Sequence, residues 1–174
     1  MNFIQSISNF ILENLSTKDL PKVGIIALNE HIESESIYIL SGMNENDNSF
    51  EILQYFDKAL EELKINLPEK LEAAKILTKY YLRKIIQNPD KAYEFMYKLD
   101  NEVYKQIDWK ENGQKYLGEE LNIEHLFTWY REIQDWNDNR MLLYYKELPR
   151  DEQRIKFEEN LVEEAKKTLK NNYS

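Results

Sequence analysis

The two histidines, His31 and His125, are the residues best suited to chemistry in this chain. An imidazole titrates near neutral pH, so a histidine placed among carboxylates can hold a metal or move a proton. His31 stands four residues before Glu35, one helical turn away, and His125 stands four before Trp129. A di-iron carboxylate bundle needs a glutamate three residues ahead of its histidine. Positions 28 and 122 carry Leu28 and Asn122 instead. The His-Glu-x-x-His spacing of zinc proteases does not occur. A small metal-assisted hydrolase using His31 or His125 is therefore the last-ranked expectation, with no catalytic residue, metal ligand or cofactor assigned.

Other chemical signatures fail at their defining positions. No arginine precedes either histidine at the four-to-six-residue interval used by helical ribonucleases of the HEPN type. Four scattered glycines cannot build a phosphate-cradling loop. No serine sits in a Gly-x-Ser-x-Gly turn. The run Asn44-x-Asn46-x-Asn48 begins like a calcium loop, but Ser49 replaces the required glycine and Tyr55 the closing glutamate. Helix capping accounts for it more simply. Cysteine is absent, which excludes disulfides and thiolate metal sites.

Charge is the most uneven property of the sequence. Between Val23 and Asp57 lie Glu30, Glu33, Glu35, Glu45, Asp47, Glu51 and Asp57, without one lysine or arginine. These seven supply −7 of the formal −9, because the remaining 25 acids face 23 bases. A pI near 4.9 and no basic cluster beyond Lys166-Lys167 disfavour nucleic acid, whose binding draws on cations that neutralise phosphates. The same potential would repel an anionic membrane and attract a basic protein. Glu30, Glu33, Glu35, Glu45 and Asp47 are the candidate partner-binding acids. Trp136 and Arg140 join them, since Trp and Arg dominate binding hot spots and both would share a face with Trp129 and Ile133 on an unbroken helix.

Positioning these residues falls to helices. Four glycines and four prolines are too few for a turn-rich β protein, and the 32 % charged content suits wet helical faces. The expected fold is all-α, an irregular bundle of about eight helices with some hairpin-like stacking. Phe3, Ile7, Phe10, Ile11 and Leu15 mark the first helix at three- and four-residue spacing. Thr17 and Asp19 cap a second, with Pro21 in its first turn and Ile25, Leu28 and Ile32 inside. Ser34-Glu35-Ser36 opens a short third helix with Ile37 and Leu40 inward, and Gly42 reads as its left-handed stop. Asn48 or Ser49 caps a fourth, buried through Phe50, Leu53, Phe56, Leu60 and Leu63. Leu67-Pro68 begins a fifth, and Asn88-Pro89-Asp90 breaks it before a sixth that ends near Gln106. Met141 to Leu148 reads as a short helix, and Arg150 to Lys170 as a long charged one. The chain is expected to be one domain, 1–174, divisible into 1–106 and 119–174 by a linker at 107–118. No run of about 18 apolar residues predicts a membrane span. Met1 to Leu15 has no basic leader and carries Glu13 within its apolar run, opposite to a secretory signal. A cytoplasmic location is expected.

Ala27-Leu28, Ser34-x-Ser36-x-x-x-Leu40 and Ser41-Gly42-Met43, followed by Ala59-Leu60-Glu61-Glu62-Leu63, resemble a segment of small uncharacterised bacterial proteins. In those a serine-rich break precedes a Leu-Ala-Gly-Leu helix end and an Ala-Leu-x-Glu-Leu helix. This chain departs from the pattern at Ser41 and Met43, and the resemblance covers the first third. It implies a bacterial helical protein and carries no activity. Taken with the charge, the expectation is a non-enzymatic acidic module that binds a basic protein, as immunity proteins neutralise cationic nuclease toxins. A self-associating scaffold is the alternative.

Overall fold

The computed structural model describes residues 1–109 and 116–173. Eight α-helices and no strand occur among them, so the fold is all-α and multi-helical. The chain divides into two compact units, Met1–Leu77 and Thr78–Ser174. That division falls within one helix, α5 (Lys70–Gln87), and not at 107–118. Of the segment 107–118, residues 110–115, including Gly113, lie outside the described residues.

The first unit is built on reciprocal caps. α1 (Phe3–Ile11) starts at Asn2, whose side chain accepts the Gln5 amide at 2.9 Å while Gln5 returns a bond to the Asn2 amide. Each bond satisfies a donor that the first helical turn would otherwise leave open. Ser16 and Asp19 do the same for a 3-10 turn, Thr17–Asp19, which leads into α2 (Leu20–Asn29) with Pro21 in its first turn. α2 buries Leu20, Val23, Gly24 and Ala27, a stripe of helical period. Ile25, expected inside, projects outward. α3 (Glu35–Gly42) opens where Ser34 Oγ accepts the Ile37 amide at 3.2 Å. α4 (Ser49–Leu63) opens where Asn48 accepts the Phe50 amide at 2.9 Å. It buries Ile52, Phe56, Ala59 and Leu60. The core of the unit joins these to Phe3, Ile7, Leu20, Val23, Ile37 and Leu40.

Two expectations fail here for local reasons. Phe50 is 73 % exposed. At 3.6 residues per turn it lies about 200° around the axis from Ile52, on the opposite side of α4. Gly42 is the last residue of α3 and keeps a right-handed backbone, and Gly118 is the only positive-φ glycine among the described residues. The chain leaves α3 through Met43 in an extended conformation.

In the second unit, Asn88 ends α5 and a 3-10 turn, Pro89–Lys91, leads to α6 (Ala92–Lys98). α6 runs on as one π turn, Leu99–Val103, and a 3-10 turn, Tyr104–Gln106. α7 (Glu124–Asn137) and α8 (Arg150–Asn172) pack against one another. Residues 141–148, expected to be helical, are irregular. The cause is Glu132 on α7, which is buried and accepts the amides of Leu143 and Tyr144, both at 3.1 Å. Those amides are withdrawn from any local helix, and Asn139 and Tyr145 take left-handed backbones at φ 55° and 54°. Trp129 clusters with Tyr145 and Phe157, at 6.2 and 6.4 Å between ring centroids, and those two rings stand 5.9 Å from each other.

Gly24 governs how closely α3 approaches α2. A Cβ there would stand 3.0 Å from the Ser41 backbone nitrogen and 3.3 Å from Leu40 Cγ. Backbone cannot swing aside as a side-chain tip can. Gly24→Val should therefore cost about 1–3 kcal/mol through overpacking, read as a lower denaturant midpoint with an unchanged slope.

Candidate functional site

The acidic stretch maps onto the end of α2, all of α3, the loop after it and the first half of α4. Glu30, Glu33, Glu35, Glu45, Glu51 and Asp57 are exposed, and Asp47 is half-buried. None of the seven takes part in a salt bridge among the described residues. The Lys and Arg pairs that do form use Glu13, Asp19, Asp100, Asp135, Asp138, Glu158, Glu159, Glu163 and Glu164. The charge of this stretch is thus left without a cationic side-chain partner among the described residues.

Its members do different work. Glu30 Oε1 accepts the Phe3 amide at 2.8 Å, which places a carboxylate on the positive end of α1. Asp47 accepts the Asn44 amide at 2.7 Å and tightens the loop between α3 and α4. Glu45 lines a shallow cleft of about 370 Å³ with Lys18, Pro21, Lys22, Ile25 and Met43. Interaction with the Glu33 carboxylate pushes the Tyr38 phenol above its ordinary value, with a smaller contribution from desolvation. Glu35 occupies the first turn of α3, where a negative charge is favoured.

α3 presents a surface that the sequence reading did not identify. Ser36, Ile37 and Leu40 are buried, while Glu35, Tyr38, Ile39 and Gly42 are exposed at helical spacing and so form one outer stripe. Tyr38 is 53 % and Ile39 40 % exposed. The signal was present: in the apolar run Ile37-Tyr38-Ile39-Leu40, two residues suffice to reach the core and the other two must face out. Glu62 on α4 was also missed. Its carboxylate accepts the Ser36 amide at 3.0 Å and the Ser36 hydroxyl at 2.7 Å. Interaction with Ser34, and then the bonds from Ser36, hold its carboxyl below the usual glutamate range.

Trp136 and Arg140, the other candidates, lie in the second unit and are engaged there. Trp136 Nε1 donates to the Arg150 carbonyl at 2.7 Å, and the Arg150 guanidinium donates back to the Trp136 carbonyl. The cations of Arg150 and Arg154 stand 4.9 and 5.3 Å from its ring centroid. α7 ends at Asn137, so Arg140 is off the helix and does not share its face. Arg140 pairs with Asp135 at 3.6 Å and Asp138 at 3.1 Å, beside a polar cleft of about 480 Å³ that also includes Tyr93 and Arg131. His31 is exposed at the end of α2 with φ 59°, and His125 is exposed in the first turn of α7, 3.9 Å from Glu124. No three His, Cys, Asp or Glu side chains among the described residues are grouped to hold a metal ion.

Compared with known proteins, the chain matches no family model, no curated protein and no solved structure.

The depressed carboxyl of Glu62 makes the α3 anchor sensitive to acid. A carboxylate whose folded pKa lies below its unfolded one stabilises the fold above the unfolded value of about 4.3, and that stabilisation disappears as pH falls through the folded value. Wild type should therefore lose stability through this window. Glu62→Gln should be less stable at neutral pH and show a flatter decline below pH 4.3, measured by urea unfolding across the range.

Proposed function

We propose that this chain is a non-enzymatic acidic helical module that binds a basic protein through the surface carried by α2, α3 and α4. The observation behind this reading is the unpaired charge of residues 23–57: seven carboxylates, six of them exposed, with no lysine or arginine among them and no ion pair to any described residue. Repulsion among unpaired like charges opposes folding. A partner rich in lysine and arginine would offset that repulsion on binding. Such a field accelerates encounter with a cationic macromolecule and repels phosphate backbones and anionic lipid surfaces. Bacterial inhibitors such as immunity proteins, which capture cationic nuclease toxins in the cytoplasm, have the size and charge that this reading calls for.

Glu30 belongs to the fold through the Phe3 amide, so charge reversal there would mix stability with binding. Glu33, Glu35 and Glu45 accept no backbone hydrogen bond among the described residues, and the first-turn position of Glu35 makes a thermal-midpoint control part of the comparison. With the partner recovered by co-purification from the native cell, Glu33→Lys/Glu35→Lys/Glu45→Lys should lower the association rate constant by about tenfold or more at low salt. The salt dependence should flatten, with a smaller effect on dissociation. An association rate unchanged at low salt would reduce the acidic surface to a solubility device.

A further inference from the structure

The outer face of α3 has no partner inside the molecule. Relative to the buried side marked by Ser36, Ile37 and Leu40, the stripe Glu35–Tyr38–Ile39–Gly42 points directly away from the core. Two of its members are large apolar side chains in water, where an isolated exposed residue is common but an ordered pair on one face is less so. Gly42 adds a third feature. It adopts an ordinary helical backbone, so no turn requires glycine, and a Cβ built there meets nothing within 4 Å. Glycine at a helical position carries an entropic penalty relative to alanine. Neither the local conformation nor the packing of the unit accounts for its presence.

A close helix crossing does account for it. Missing side chains let two helix backbones approach, as Gly24 already does on the inner side of this same helix. We infer that α3 is the docking element of the acidic surface, and that its occupant is a basic amphipathic helix of the partner crossing at Gly42. Charge complementarity selects that occupant. Glu33 and Glu35 stand at one end of α3, and Glu45 and Asp47 follow the other; the segment from Val23 to Asp57 carries no cation, and Lys18 and Lys22, which border Glu45, lie outside it. Eight residues span about 12 Å, so lysines or arginines two helical turns apart would meet both ends and bracket a small apolar residue over Ile39. Tyr38 offers a ring face to one of those cations. The Glu35 carboxylate on the same stripe, one turn before it, adds negative charge that favours a cation there.

This inference rests on the binding-module reading, and the test separates the two. The probe is a synthetic peptide, held helical by a side-chain lactam on its outer face, with lysines at its first and eighth positions around a central alanine. It is titrated into the 15N-labelled protein at low salt. The expected result is salt-sensitive binding with amide shifts concentrated on Glu35, Tyr38, Ile39 and Gly42. Gly42→Trp should keep the thermal midpoint of wild type, because the site is open, and weaken binding by about tenfold or more. Tyr38→Ala should weaken it comparably. If Gly42→Trp and Tyr38→Ala bind as wild type while Glu33→Lys/Glu35→Lys does not, the acids act without the stripe and this inference is overturned, but the charge-based reading stands. If none of the variants changes binding, or the peptide does not bind at low salt, both are lost.

Discussion

An eight-residue helix does not persist in water by itself: the nucleation cost is repaid only over about 12–15 residues. α3 exists because its neighbours hold it from two sides. α2 approaches within van der Waals distance at Gly24, and α4 reaches across with Glu62 to satisfy the Ser36 amide that the helix start leaves open. Ser34 closes the same end from within the chain. The inner face of α3 is thereby fixed in rotation, and the outer face with it. A surface so fixed would need little ordering on binding, which is the condition for a low entropic cost of association.

The carboxylates of this region divide by what they bond. Glu30, Asp47 and Glu62 accept from backbone amides at 2.8, 2.7 and 3.0 Å. For Glu30 and Glu62 the positive counterpart is the N-terminal end of a helix, so neither needs a lysine. This explains how a segment without cations can still be tied into a fold. Glu33, Glu35, Glu45, Glu51 and Asp57 bond to no backbone group among the described residues, and their charge is not absorbed in this way.

How much of this was legible in the sequence depends on how far each determinant reaches along the chain. The caps at Ser34 and Asn48 are set by a side chain within three residues of the amide that it accepts, and residue type alone identifies them. The helical class follows from composition and periodicity in the same local way. Residues 141–148 carry helix-compatible spacing, but Glu132, eleven residues before Leu143, takes the amides that such a helix would use. Gly42 has the expected residue type for a left-handed stop, yet Met43 ends the helix by turning extended, which requires no left-handed residue. Gly24 and Glu62 act across 17 and 26 positions, on Ser41 and Ser36, and no window of sequence pairs them. Tyr38 and Ile39 lie between these extremes, since their outward direction follows once Ile37 and Leu40 are assigned to the core.

The second unit shows why residue type alone misplaces a binding surface. Trp and Arg are the usual anchors of interfaces, but here Trp136 is bracketed by Arg150 and Arg154, and Arg154 is also bonded to Glu158 at 2.7 Å. Along α8 three further cations close on acids one turn away, in Lys156–Glu159, Lys166–Glu163 and Lys167–Glu164. Exposed pairs of this kind add little to stability. Their larger effect is on the field, because each pair reduces to a short dipole that falls off within a few ångströms, while an unpaired charge is felt out to the Debye length of about 8–10 Å. Thirty-two acids therefore do not make the whole molecule a uniform anion. Within the first unit the carboxylates without a cationic partner are concentrated where lysine and arginine are missing, in residues 23–57, and α3 lies within that stretch.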